Sequence, residues 1–156
     1  MRSRMLLLGV LGSFVAGGFA VSASSQGSRT KSEAIRKRQD IFHSFGVAVK
    51  EPGAMLRNEA PFDLAVVQAS LKTLADGAPK LKSLFPDDSK SEEHSEALPE
   101  VWTKKDHFLR VVDQLAATAA AASAAIKDEP TFRSEWSKVS SNCRVCHKAY
   151  RVLPKN

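Results

Sequence analysis

The chain has 156 residues, 43% of them hydrophobic and 26% charged, with a formal net charge of +6. That length allows one domain, and that composition suits a soluble globular fold. The positive balance comes without a basic run or a nucleic-acid-binding motif, so nucleic acid is not an expected partner.

Residues 1–23 read as a secretory signal peptide. Arg2 and Arg4 form the positive start, and an apolar stretch from Met5 to about Ala20 follows, interrupted by Gly9, Gly12, Gly17 and Gly18. Val21-Ser22-Ala23 offers the small residues a signal peptidase requires, with cleavage after Ala23. A retained membrane anchor is the alternative, but a span needs about 20 solidly apolar residues. Cleavage removes two of the 23 basic residues and no acidic ones, leaving 21 − 17 = +4. Export places the protein outside the cytoplasmic membrane, in a bacterial periplasm.

Residues 24–29 are small and polar and read as a flexible lead-in to a domain spanning 30–156. A first helix is expected from Thr30, where Thr30-x-x-Glu33 has the capping-box pattern. Ile35, Phe42, Phe45 and Val49 share one face of it, and Glu51-Pro52-Gly53 should end it. A second helix is expected from Pro61, with Leu64, Val67, Leu71, Leu74, Ala78, Leu81 and Phe85 as its stripe and a break near Gly77 and Pro79. Residues 87–98 are polar and aperiodic, the longest loop. A third helix should run from Pro99 to about Lys127 with Val101, Phe108, Val112, Leu115, Ala119, Ala122 and Ile126 inward. Its alanine-rich tract, Ala116 to Ala125, suits close approach of another helix, either inside the fold or at a homodimer seam.

A fourth helix is expected from Pro130. Phe132, Trp136, Val139, Cys143, Cys146, Tyr150 and Leu153 follow one another at spacings of 4, 3, 4, 3, 4 and 3, so both cysteines lie on its core-facing stripe. They are the chain's only two cysteines and belong to Cys143-Arg144-Val145-Cys146-His147. Cys-x-x-Cys-His is the attachment signature of covalent haem c. Two thiols three residues apart reach the vinyl groups along one porphyrin edge, and His147 supplies an axial nitrogen for the iron. A redox dithiol, a structural disulfide and half a zinc site are the other uses of Cys-x-x-Cys. No βαβ pattern surrounds it, and His43, His94 and His107 are too scattered to complete a zinc site.

Four amphipathic helices and no strand pattern predict an all-α, antiparallel four-helix bundle with haem near the C-terminus of the last helix. In that placement the chain resembles the class II c-type cytochromes, the cytochrome c′ family; mitochondrial-type cytochromes carry the motif near the N-terminus instead. The resemblance extends over residues 30–154. It includes His147-Lys148-Ala149-Tyr150-Arg151, Pro99-Glu100-Val101-Trp102, Arg38-Gln39, and Pro61-Phe62-Asp63, where the family has tyrosine at the middle position. Leu84-Phe85-Pro86 is similar to the methionine-ligated, low-spin branch.

The resemblance implies a single covalent haem c, and that one residue of the first helix approaches the distal face of the iron. Counted from Arg38 and from Pro61, that position is Phe42. Phenylalanine has no lone pair to give, so a five-coordinate, high-spin iron follows. A slip of one residue would bring in His43 and bis-histidine ligation. Met55, beyond Pro52 and Gly53, falls at an ordinary apolar position. Arg38 either reaches a haem propionate or lies on a solvated face; Arg151 either tunes His147 or sits at the surface; Trp102 packs near the haem edge or simply in the core. His94 and His107 read as surface residues. Two functions compete, a periplasmic electron carrier with unidentified redox partners and a binder of small gases such as NO or CO, with a dedicated nitric-oxide-detoxifying role as a variant. A haem peroxidase lacks a distal acid–base residue unless His43 turns inward, so no enzyme activity is expected. The resemblance also leaves a homodimer open, since family members are often dimers through their first two helices.

Overall fold

The computed structural model describes residues 24–90 and 95–152. Among the described residues five α-helices form: α1 (Ser24–Leu56), α2 (Leu64–Gly77), α3 (Glu100–Thr103), α4 (Lys105–Ala125) and α5 (Glu129–Tyr150). The four long ones make the bundle. Helix α1 packs on α2, α2 on α4 and α4 on α5. Among the described residues there is no strand, only an isolated bridge between Ala97 and Arg151, and no helix is long and apolar enough to cross a membrane. The signal-peptide reading falls on residues outside the described ones, as do His94 and Leu153.

The first helix departs from expectation at both ends. It begins at Ser24, so residues 24–29, expected as a flexible lead-in, are helical. That run holds no proline, and a nucleated helix propagates at little cost per residue. At the other end α1 continues through Pro52 to Leu56. A proline inside a helix deprives the carbonyl four residues earlier of its donor. Here that carbonyl belongs to Ala48, and the buried Ser70 hydroxyl of α2 donates to it at 2.7 Å. A residue distant in sequence supplies what the proline removed, and Pro52 itself is fully buried.

Helix α2 begins three residues after Pro61, because Asp63 caps it, accepting from the backbone N–H groups of Ala65 (2.8 Å) and Val66 (3.1 Å). The expected break falls at Gly77, after which residues 78–83 tighten into a 3-10 turn with Pro79 near its start. The stripe survives the break: Val67, Leu71, Leu74, Ala78, Leu81 and Phe85 are all buried. Gly77 is set by its neighbour, since a Cβ there would collide with the ring of Phe45.

The third predicted helix is two helices. Lys104 leaves helical geometry (φ −122°, ψ 40°) and separates α3 from α4. Long-range bonds fix the short piece: Trp102 Nε1 donates to Pro86 O at 3.0 Å and Lys105 Nζ to Phe85 O at 3.3 Å. In α4, Ala119 and Ala122 are buried, and Gln68 of α2 donates to Ser123 O and Ile126 O. The buried side of the alanine tract thus serves an internal contact between α2 and α4.

Helix α5 starts with a reciprocal cap. The Asp128 carboxylate accepts from Thr131 N (2.9 Å), and Thr131 Oγ1 accepts from Asp128 N (3.1 Å). Phe132, Trp136, Val139 and Tyr150 are buried as the stripe predicts. Arg133 near its start donates to Leu56 O at the end of α1 (3.1 Å), so α1 and α5 run in opposite directions.

Candidate haem site

Helices α1 and α5 face each other across a cavity of about 610 Å³. Its floor comes from α2 and α4, including Leu74, Phe108, Val112 and Leu115. From α5 it receives Cys143, Cys146, His147 and Tyr150; from α1, Arg38, Phe42, Phe45 and Gly46. The volume is that of a small-molecule or cofactor pocket, and the lining matches one: mostly apolar, with a few convergent polar groups.

Cys143 and Cys146 are free thiols, so the pair is no disulfide. Burial pushes the Cys143 thiol up from its ordinary value, and pushes Cys146 up to about 11, with Cys143 beside it adding to the effect. A catalytic dithiol needs the opposite, a thiolate held by cations or a helix N-terminus. Among the described residues no group of three or more His, Cys, Asp and Glu side chains could hold a metal ion, which leaves a zinc site without ligands. The thiols sit instead on the wall of an apolar slot, one helical turn apart.

His147 lines the same cavity and keeps part of its surface open to solvent. Burial lowers its imidazole pKa, the Arg151 charge lowers it further, and Glu96 opposes both. The neutral form, the one with a lone pair for a metal, is therefore favoured. Arg151 also lines the cavity and is held by Glu96 at 2.8 Å. Its side chain stays 41% exposed, so it lies at the surface and on the cavity's edge together.

On the opposite wall, Phe42 lines the cavity and is 39% exposed. Its ring meets Phe45 edge-on at 6.1 Å between centroids. Phe45 in turn is seated against Gly77. His43 also reaches the lining, from an exposed position at the rim. Met55 is buried in the core away from the cavity.

Arg38 is not on a solvated face. It is only 3% exposed. Its guanidinium donates to Leu84 O (3.1 Å), Ser89 Oγ (2.9 Å) and Ser95 Oγ (2.8 Å) and lies 4.6 Å over the Phe85 ring. It forms one corner of the cavity as a buried cation, where an anionic substituent of a bound group would be stabilised. Trp102 is the site residue the structure moves away: it packs behind Phe85 and does not line the cavity. The residues missed in the sequence are Tyr150 as cavity wall and His107 as its partner. His107 Nδ1 and the Tyr150 hydroxyl are hydrogen-bonded between α4 and α5. No local signal marks a histidine and a tyrosine 43 residues apart as a pair.

A flat apolar macrocycle with two acidic substituents fits these walls. Two thiols stand on one side, a buried arginine at one corner, and an imidazole follows directly on the second thiol.

Comparison with known proteins agrees. The family described as Cytochrome C' matches residues 33–151. A cytochrome c' of Rhodopseudomonas palustris is 42% identical over 143 residues, covering 92% of this chain and 90% of the relative. A solved structure of cytochrome c' from Rhodopseudomonas palustris superposes with a TM-score of 0.76 at 42% identity, covering 78% of this chain and 98% of that one. A cytochrome c-556 from the same organism is 27% identical over 141 residues, covering 88% of this chain and 93% of the relative.

Proposed function

This chain belongs to the cytochrome c′ family, with haem c as its cofactor, and on that footing we propose that it is a periplasmic haem protein whose five-coordinate iron both carries electrons and binds small gases. The observation that carries this reading is Phe42. The α1 wall facing the thiols and His147 presents an apolar ring there, with no donor atom to close the iron. The 42% identity to a cytochrome c' supports the same side of the choice.

Each residue has a part in holding the group. Cys143 and Cys146 would carry the two thioether bonds, and His147, whose neutral form its surroundings favour, would give a nitrogen to the iron. Arg38, the buried cation at the cavity's corner, would meet a propionate. Arg151 and Glu96 set the charge beside the imidazole, and Tyr150, held by His107, closes the wall one turn beyond it. Phe42, braced by Phe45, keeps polar ligands from the far face and admits neutral diatomics. When bound, the haem supplies a one-electron ferric/ferrous couple and an open position for NO or CO. The periplasmic assignment rests on the signal-peptide pattern of residues 1–23.

The optical spectrum of the purified holoprotein tests this. A broad, high-spin ferrous Soret band that shifts promptly with CO is expected. Sharp low-spin α and β bands unmoved by CO would overturn it and point to His43, which also lines the cavity. Replacing both Cys143 and Cys146 by alanine is expected to remove haem stain from denaturing gels; retained stain would refute the attachment.

A further inference from the structure

The chain has one tyrosine, and it stands on the wall of the cavity. Tyr150 is buried, one turn beyond His147 on α5. Its hydroxyl is hydrogen-bonded to Nδ1 of His107 on α4, and His107 is exposed to solvent. A buried phenol on the haem-side wall thus has a base of its own, and that base is open to water. Burial raises the phenol's pKa, with Cys146 adding to the effect and Arg110 opposing it, so the phenol carries its proton at neutral pH. Closing the wall would need only the ring.

The neighbouring aromatic side chains give the hydroxyl a purpose. Phe108 packs edge-on to Tyr150 at 5.2 Å between centroids, Phe85 follows at 4.8 Å and Trp102 at 6.0 Å. Of these four, only tyrosine and tryptophan give up an electron readily. Trp102 is ill placed to do so. Its indole N–H donates to Pro86 O, a carbonyl that cannot take the proton away. The Arg38 guanidinium lies 5.9 Å from its ring and opposes a second positive charge there. Tyr150 can shed its proton as the electron leaves, so its oxidation puts no charge into the buried wall.

We propose that Tyr150 is a redox-active tyrosine that returns an electron to a haem oxidised by hydrogen peroxide, with His107 as its proton acceptor. The inference rests on the five-coordinate reading given above, which lets peroxide reach the iron. Peroxide takes two electrons from the haem and two protons from solvent, and ends as two waters. Tyr150 gives one electron back. Its O–H bond breaks, the proton passes to Nδ1 of His107, and a neutral phenoxyl radical remains.

The test mixes ferric holoprotein with hydrogen peroxide, freezes it at set times and records its electron paramagnetic resonance. A tyrosyl signal is expected in the wild type. It should be lost in Tyr150→Phe, which keeps the ring against Phe108. His107→Gln keeps a hydrogen-bond acceptor but no basic nitrogen, so it would replace a purely structural partner. Loss of a positioned base should slow the appearance of the tyrosyl signal by about a hundredfold. Under peroxide the Soret band should bleach faster in Tyr150→Phe, because the oxidising equivalents stay on the haem.

A tyrosyl signal that survives Tyr150→Phe would overturn the assignment. So would wild-type kinetics in His107→Gln, which would leave His107 a structural partner only, or equal bleaching in Tyr150→Phe and wild type. A wild-type spectrum that neither CO nor peroxide moves overturns the five-coordinate reading, and the redox role with it. A wild type that CO shifts but that yields no tyrosyl signal with peroxide overturns the redox role alone.

Discussion

Removing the Ser70 hydroxyl should have opposite consequences depending on whether residue 52 is proline. In the wild type, Ser70 Oγ lies 2.7 Å from Ala48 O, the carbonyl that Pro52 leaves without a helical donor, and 2.8 Å from Val66 O. Ser70→Ala strips that donor from a half-buried carbonyl, at a cost of about 1–2 kcal/mol. Alanine's better helix propensity in α2 returns about 0.5 kcal/mol. The net loss is about 1 kcal/mol, a fall of about 2–4 °C in melting temperature for a chain of this size. In a Pro52→Ala background, residue 52 regains its own N–H and Ala48 O no longer needs the hydroxyl. Ser70→Ala should then be neutral or stabilising by about 0.5 kcal/mol. The coupling across the cycle is about 1.5 kcal/mol, well above the scatter of independent sites. Urea unfolding of the four proteins, followed by circular dichroism, measures it. Additive effects, with Ser70→Ala costing the same in both backgrounds, would refute the account of how α1 passes through a proline.

Other substitutions probe the cavity walls and the cap of α5. Gly77→Ala gains about 1 kcal/mol of helix propensity but forces Phe45 aside, at about 1–3 kcal/mol; a net loss of about 1 kcal/mol is expected, with a shifted Soret band as Phe45 presses on Phe42. Arg38→Leu removes the donor to Leu84 O, Ser89 and Ser95 at once, and should cost about 2–4 kcal/mol in urea unfolding. Asp128 has its carboxyl pKa held below the usual 3.8 by the Thr131 side chain and backbone. Its contribution is therefore present above pH 3.8 and lost as pH falls through the depressed value. Asp128→Asn, which still caps, should flatten that part of the stability curve; an unchanged acid slope in the difference from wild type would refute it.

What sequence could reveal follows from which forces are local. The stripe from Leu64 to Phe85 was readable through the break at Gly77 because burial on one face imposes its period whatever the helix type. The haem motif and the orientation of both thiols were readable for the same reason, since Cys143 and Cys146 continue the spacing set by Phe132, Trp136 and Val139. Periodicity put Phe42 on one face of α1, and the family resemblance, counted from Arg38 and Pro61, assigned that position to the haem side. The failures are all long-range. Nothing near Pro52 announces that Ser70 will satisfy Ala48, so the helix looked finished there. Arg38 looked as much a surface residue as a ligand for a propionate because its serine partners are 51 and 57 residues away. The break at Lys104 depends on where Phe85 and Pro86 come to rest, and the same packing takes Trp102 behind Phe85 instead of into the cavity.

The connection between the two halves of the bundle does more than span a distance. Its near end is tied to α1, through Arg38 and Ser89. Its far end is laced to the end of α5: Leu98 N donates to Tyr150 O (2.9 Å), Val152 N to Glu96 O (2.8 Å), and Arg151 pairs with Glu96. Ser95 returns to Arg38 at 2.8 Å. The cavity is thus clasped at one mouth, where α1 and α5 are strapped together, while Gly46 and Asn142 line it further along the two walls. At the far end Arg133 of α5 holds Leu56 O of α1 at 3.1 Å, so the two walls are tied at both ends. Thermal opening of the slot should therefore be widest between the ties, and amide exchange on α1 should be quicker near Gly46 than toward Arg38 or Leu56.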